Sequence, residues 1–339
     1  MKPLSFTLLA LTLISFAPVP PAAAPQTRDR VITKTKDRDE VVKVDVDLIV
    51  LDALVLQKET GRVVGDLKKE DFILEEDGAK QEIAHFSQDT LPLSVILLID
   101  RGGCLDPFGS EVHRAALDAV SRLKPTDEVA VMGYHESVDL IQGFTRERDM
   151  IAQALDRVPG HDEEADHCLN RAFYNAAQYM IRAGNPAGRR VIIAITGVTS
   201  NFDCGGPSGT EATHEVLESG SVVCGLIPKS AGQRIESGLN KFATRTAGVF
   251  KVHSLSIDKL AEETGGEVLD DKPENLDRAF NTLVEHLRTR YSMGFVSTNK
   301  KHDGGVRKLR LKLTPSIEKA KTKAKLVVKT RRSYIAPRA

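Results

Sequence analysis

The chain of 339 residues is long enough for two domains or for one large domain with appendages. Its 41% hydrophobic and 28% charged residues are those of an ordinary globular chain, and the absence of Trp with 5% aromatics gives no hint of a stacking surface for sugars or bases. The 47 basic and 47 acidic residues cancel unevenly, because from Lys300 onward 14 Lys and Arg stand against 2 Asp and Glu.

The first 24 residues carry one lysine, an apolar stretch from Leu4 to Ala17 and small residues at Ala22, Ala23 and Ala24. That order predicts a cleavable signal peptide and a secreted or periplasmic protein. No later segment has the length of a transmembrane span. Residues 25–41 are charged, lack apolar periodicity and read as a flexible linker. In residues 42–90, Val44, Val46 and Leu48 alternate with Asp45 and Asp47, the pattern of a strand with one wet face. Lys58 to Arg62 is a turn, Asp71 to Glu75 a strand, and Glu76-Asp77-Gly78 a tight hairpin turn before a strand over Gln81 to Phe86. Three or four antiparallel strands are too few to stand alone. This β module is expected to lean on the next domain or on the C-terminal strands.

From Leu91 to about residue 296, apolar strands alternate with helices. Strands are predicted over Leu93 to Ile99, Glu128 to Tyr134, Val138 to Ile141, Arg190 to Thr196, Ser221 to Ile227 and Gly266 to Leu269. Helices fall at Ser110 to Leu123, Arg146 to Val158, Asp166 to Arg182, Glu211 to Glu218, Ser256 to Thr264 and Glu274 to Arg288. Uninterrupted apolar strands joined by helices imply a doubly wound α/β domain, a parallel sheet covered on both faces. Its ligands belong beyond the carboxyl ends of the strands, where Asp100, Thr196 and the loop around Asp166 lie. The last segment, residues 297–339, is basic, but in Lys308-Leu309-Arg310-Leu311-Lys312-Leu313 leucines take one face and cations the other. A half-buried strand is therefore expected there, and no nucleic-acid partner.

Two stretches carry a resemblance: "VDLIVLDALVLQKETGRVVGDLKKEDFILEEDGAKQEIAHF" before the α/β domain and "LRTRYSMGFVSTN…DGGVRKLRLKL" after it. On these the chain resembles secreted bacterial von Willebrand factor A-related proteins, in particular an acidobacterial-type lineage. The resemblance implies a von Willebrand factor A-like, Rossmann-like sheet and a protein-binding role. In family members that bind metal, D-x-S-x-S after the first strand, a threonine before a later helix and an aspartate after the fourth strand hold a Mg²⁺-type ion. Here Asp100 matches the first position, Gly102 and Cys104 replace both serines, Arg171 stands for the threonine and Gly197 for the aspartate. A lone carboxylate does not hold Mg²⁺, which gives up its waters reluctantly. The metal-ion-dependent adhesion site is thus expected to be degenerate, with Arg171 free to pair with Asp100, and no Mg²⁺, Mn²⁺ or other cofactor is expected.

In an exported protein Cys104, Cys168, Cys204 and Cys224 sit where disulfides persist. The resemblance brings Cys104, Cys168 and Cys204 to the three loops around the former ion. A disulfide between Cys104 and Cys168 is expected first, Cys168 with Cys204 next, and Cys224 is expected as a buried thiol. An alternative is a zinc, copper or redox site in the loop "HDEEADHC", with His161, Asp166, His167 and Cys168 as ligands; the competing reading is a solvated, acidic helix start. Phosphate-loop, nucleophile-elbow and H-E-x-x-H motifs are absent, and His135, which could be drawn as an acid–base partner of Asp100, reads as a surface residue. The function expected is a secreted, non-enzymatic interaction protein engaging an unidentified protein partner.

Overall fold

The computed structural model describes residues 48–88, 90–102, 104–158, 167–199, 204–229, 255–320 and 325–338. The expected signal peptide and linker lie outside the described residues.

The central sheet has six strands in the order β10-β9-β8-β5-β6-β7: β5 (Leu93–Asp100), β6 (Glu128–Tyr134), β7 (Val138–Thr145), β8 (Arg189–Ile195), β9 (Val222–Pro228) and β10 (Val268–Asp271). All neighbours are parallel except β7, which returns antiparallel along β6. The run LSVILLID is apolar throughout because β5 is buried on both faces. Its Leu93, Val95, Leu97 and Ile99 pack under α1 (Gly109–Ser121), α2 (Arg148–Asp156) and α6 (Leu276–Arg288). Its Ile96 and Leu98 pack under α3 (Leu169–Met180), α4 (Gly209–Ser219) and α5 (Ile257–Thr264). Ser208 starts α4 with a capping box, its hydroxyl accepting from the Glu211 N–H while the Glu211 carboxylate accepts from the Ser208 N–H.

The smaller unit is a sandwich of two antiparallel sheets. One runs β13-β1-β11-β4 and the other β14-β12-β2-β3, with β1 (Leu48–Gln57), β2 (Phe72–Glu76), β3 (Ala79–Gln81), β4 (Ile83–Ser87), β11 (Tyr291–Val296), β12 (Val306–Leu313), β13 (Leu326–Thr330) and β14 (Ser333–Ile335). N- and C-terminal strands therefore complete each other, and Leu51, Tyr291 and Phe295 of one sheet share a core with Phe72, Leu74 and Leu311 of the other. Asp77 and Gly78 both have positive φ, 47° and 86°, which is the backbone a two-residue hairpin turn requires. In β12 the leucines at 309, 311 and 313 are buried while Lys308 and Arg310 face water, and Lys312 pairs with Glu75 at 2.8 Å. The fold class read from the sequence, a doubly wound parallel sheet with a small antiparallel module from both ends of the chain, is the one observed. One strand differs: Tyr291–Val296, which the sequence reading leaves at the end of the α/β domain, pairs with β1 and β4 in the module.

Charged side chains join the two units. Arg189 on β8 has a side chain 1% exposed and forks onto both oxygens of Asp52 on β1, at 2.7 and 3.0 Å. It also donates to Ser292 Oγ on β11 at 3.2 Å. Glu267 meets His286 of α6 at 2.6 Å and Lys329 of β13 at 3.0 Å.

Candidate functional site

Asp100 ends β5 at the carboxyl edge, where doubly wound sheets bind ligands. Its carboxylate is buried and already occupied. The Gly102 N–H donates to Oδ1 at 2.9 Å, and the Thr196 hydroxyl, just past β8, donates to Oδ2 at 2.5 Å. Tyr134, which ends β6 directly beside Asp100, donates its hydroxyl to Oδ2 at 3.2 Å. The Cys104 thiol donates to Oδ2 at 3.3 Å. His167 Nδ1 lies 2.9 and 3.0 Å from the two oxygens. Burial works to raise the Asp100 pKa, but the hydrogen bonds from His167, Thr196 and Gly102 outweigh it and hold the carboxylate below its ordinary value. Burial, reinforced by the Asp100 charge, pushes the Cys104 thiol up to about 12. The same two causes raise Tyr134 well above the ordinary phenol value. The site at neutral pH is one buried anion ringed by neutral donors and an imidazole.

The residues that the resemblance sets at ligand positions have other occupations. Gly102 contributes only its N–H. A Cβ at Gly197 would lie 3.1 Å from the Cys104 Cβ and 3.2 Å from its sulfur, so the space beside Gly197 belongs to Cys104. The Gly197 N–H closes the contact by donating to the Cys104 sulfur at 3.2 Å. A side chain at 197 would require Cys104 to give way by a few tenths of an ångström. Arg171, in the first turn of α3, does not pair with Asp100 as the sequence suggests. Its guanidinium donates to the backbone carbonyls of Glu136 and, at 3.3 Å, Gly205, because those two loops flank the helix start and leave carbonyls to satisfy. His167, one turn earlier, takes the place beside the carboxylate.

A Mg²⁺-type ion asks for six oxygens near 2.0–2.1 Å; Asp100 offers carboxylate oxygens at this edge, while positions 102, 104, 171 and 197 offer no carboxylate or hydroxyl.

The expected first disulfide is corrected. Cys168 pairs with Cys204, with 5.6 Å between their Cα atoms, and Cys104 remains a thiol. Cys168 stands at the start of α3 and Cys204 in the loop after β8, so the bridge ties those two loops together while Cys104 is held by Asp100 and Gly197. Cys224 is a buried thiol in β9, as read from its apolar surroundings. The same bridge removes Cys168 from the alternative zinc or copper set; of the other three, His161 and Asp166 lie outside the described residues, and His167 faces Asp100. His135 hydrogen-bonds Ser137 at 3.3 Å and, through its carbonyl, the Cys168 N–H at 3.2 Å.

Tyr134 and Thr196 were legible only as strand ends. Parallel register sets Tyr134 beside Asp100 and brings β8 alongside β5, so the last residues of three adjacent strands converge.

The strand order and the place of Asp100 at the carboxyl edge put the chain in the doubly wound α/β class. No protein-family model matches the chain, and no curated protein matches it. Among solved structures the chain is similar to a von Willebrand factor type A protein from Catenulispora acidiphila, at 10% identity over 85% of this chain and 74% of that one, with a TM-score of 0.43. It is similar to an aerotolerance-related membrane protein from Bacteroides fragilis carrying multiple mutations to serines, at 14% identity over 57% of this chain and 98% of that one, with a TM-score of 0.42. BatB, a conserved hypothetical protein from Bacteroides thetaiotaomicron, gives 15% identity, 57% and 98% coverage and a TM-score of 0.40.

Proposed function

We propose that this chain is an exported, non-enzymatic interaction protein that engages a protein partner through the loops at the carboxyl edge of its central sheet, without a bridging Mg²⁺-type ion. The observation that carries the reading is the make-up of the rim: around Asp100 stand the Gly102 N–H, the Cys104 thiol and the His167 imidazole, and positions 171 and 197 bring it no oxygen ligand. A mode bridged by a Mg²⁺-type ion needs several oxygen ligands and an open coordination position beyond them. The Cys168–Cys204 bridge supports a rim preformed for recognition, since loops fixed before binding lose less entropy on association. A disulfide also suits an exported protein.

An enzyme reading has one arrangement to offer, Cys104 with His167 and Asp100. The thiol of Cys104 donates to the carboxylate, and its pKa stands at about 12. A nucleophilic cysteine needs the opposite, a base at the sulfur and a lowered pKa.

Capture with the immobilised full chain from an envelope extract of the native organism tests the proposal. The same partner is expected to be retained with Mg²⁺ present and after Mg²⁺ depletion. Retention only with Mg²⁺ contradicts it.

A further inference from the structure

The rim that has lost its oxygen ligands has gained a different donor set. Asp100, Cys104 and His167 each present one potential ligand atom, a carboxylate oxygen, a thiol sulfur and an imidazole nitrogen, all within 4.8 Å of one another. Among the described residues no other group of three such side chains converges in this way. Carboxylate, imidazole and thiolate together suit a borderline ion such as Zn²⁺, and three protein ligands with a fourth position open is a common zinc arrangement.

The spacing fits such an ion. With bonds of about 2.0–2.1 Å to nitrogen and oxygen and about 2.3 Å to sulfur, a tetrahedral site has an O···N edge of about 3.3 Å and an O···S edge of about 3.6 Å. Here Asp100 and His167 are 2.9–3.0 Å apart, and Asp100 and Cys104 are 3.3 Å apart. These two edges have to open by about 0.3–0.4 Å, while the third, between His167 and Cys104, is within 4.8 Å; both ligands beside Asp100 sit on loops, with the His167 side chain 23% exposed.

The surrounding shell has the right sign. Thr196 and Tyr134 donate to Asp100 Oδ2 and Gly102 to Oδ1, which would fix the carboxylate's orientation. The Gly197 N–H points at the Cys104 sulfur, where it stabilises a thiolate.

We propose that Asp100, Cys104 and His167 form a binding site for Zn²⁺ or a similar borderline divalent ion, a site of different ligands and preference from the oxygen-only site these positions would otherwise build. On binding, the Cys104 S–H bond breaks, its proton leaves to solvent and a metal–sulfur bond forms. The Nδ1 proton of His167 leaves with it or moves to Nε2, and no redox change occurs. The proposal goes beyond the partner-binding reading and does not depend on it.

Co²⁺ serves as the visible probe for Zn²⁺. Titrated into the intact full chain, one equivalent is expected to give tetrahedral d–d absorption with a thiolate-to-metal band, and Zn²⁺ is expected to bleach both. Cys104→Ser should abolish the thiolate band and His167→Ala should weaken Co²⁺ binding at least ten-fold, whereas Cys224→Ser should leave the spectrum unchanged. No spectrum at several equivalents, or an unchanged thiolate band in Cys104→Ser, overturns the site. The unmutated protein provides a second reading that does not depend on variant folding: one equivalent of Zn²⁺ should displace the Cys104 proton into weakly buffered solution, and binding without proton release, or no binding, overturns the site. Mg²⁺ in place of Zn²⁺ separates the two proposals, since a response to Mg²⁺ counts against the ion-free partner reading and a failure of Zn²⁺ counts only against this site.

Discussion

Two regions of the molecule bury carboxylates and satisfy them in opposite ways. At the junction between the α/β domain and the β sandwich, Asp52 meets the fork of Arg189 and Glu267 meets Lys329 and His286. At the rim, Asp100 meets, among the described residues, a backbone N–H, hydroxyls, a thiol and an imidazole rather than a lysine or arginine. A fixed opposite charge cements an interface and leaves nothing for a ligand. Hydroxyls, a backbone N–H, a thiol and an imidazole hold an anion in place without a permanent counter-charge. The difference separates a carboxylate locked by arginine or lysine from one held by hydrogen bonds at the sheet's carboxyl edge.

The largest effect is expected from cutting the junction. Arg189→Ala leaves Asp52 buried without its counter-charge and should destabilise the fold by about 3–5 kcal/mol in urea denaturation; a loss under 1 kcal/mol would mean that the junction is not held by charge. Next comes the rim's covalent tie. Reducing the Cys168–Cys204 bridge frees a loop closed across 36 residues, for an expected loss of about 3–4 kcal/mol. Thiol titration of the unfolded, unreduced protein should find two reactive thiols, Cys104 and Cys224.

Glu267 gives the junction a pH signature. Burial raises its pKa, but the hydrogen bond from His286 and the charge of Lys329 outweigh burial and hold it at about 2, below its ordinary 4.5. A depressed carboxyl pKa stabilises the folded state above the unfolded value and loses that stabilisation as pH falls through the folded one. Roughly 3 kcal/mol should therefore disappear between about pH 4.5 and 2, and the stability difference between the native chain and Glu267→Gln should shrink over that window. The smallest effect belongs to the rim's exchangeable donors. Thr196→Val removes one of the hydrogen bonds to Asp100 and should cost about 1–2 kcal/mol, with the remaining donors keeping the carboxylate satisfied.

Much of this was legible in the residues. The fully apolar run before Asp100 announced a strand buried on both faces, Asp77-Gly78 announced its hairpin, and the alternation of Leu309, Leu311 and Leu313 with Lys308 and Arg310 announced a half-wet strand rather than a nucleic-acid surface. Matching the rim position by position against an oxygen-ligand pattern located Asp100 and the residues that stand at the pattern's other positions. What stood beside Asp100 was less accessible. Arg171 and His167 occupy neighbouring turns at the entry to α3, and which one reaches the carboxylate depends on loop carbonyls that sequence spacing does not position. The disulfide partner followed the same limit, because Cys104 is drawn toward Asp100 and the Gly197 N–H and thus away from Cys168. Tyr134 and Thr196 entered the site through strand register, a property of paired strands rather than of any one segment.

The account turns on whether the rim still holds an oxygen-seeking ion, and Mn²⁺ titration followed by water-proton relaxation reads that most directly, with Mn²⁺ standing in for Mg²⁺. The account predicts no bound Mn²⁺ at millimolar free ion. One equivalent of bound Mn²⁺ that Mg²⁺ displaces and that Asp100→Asn abolishes would contradict it.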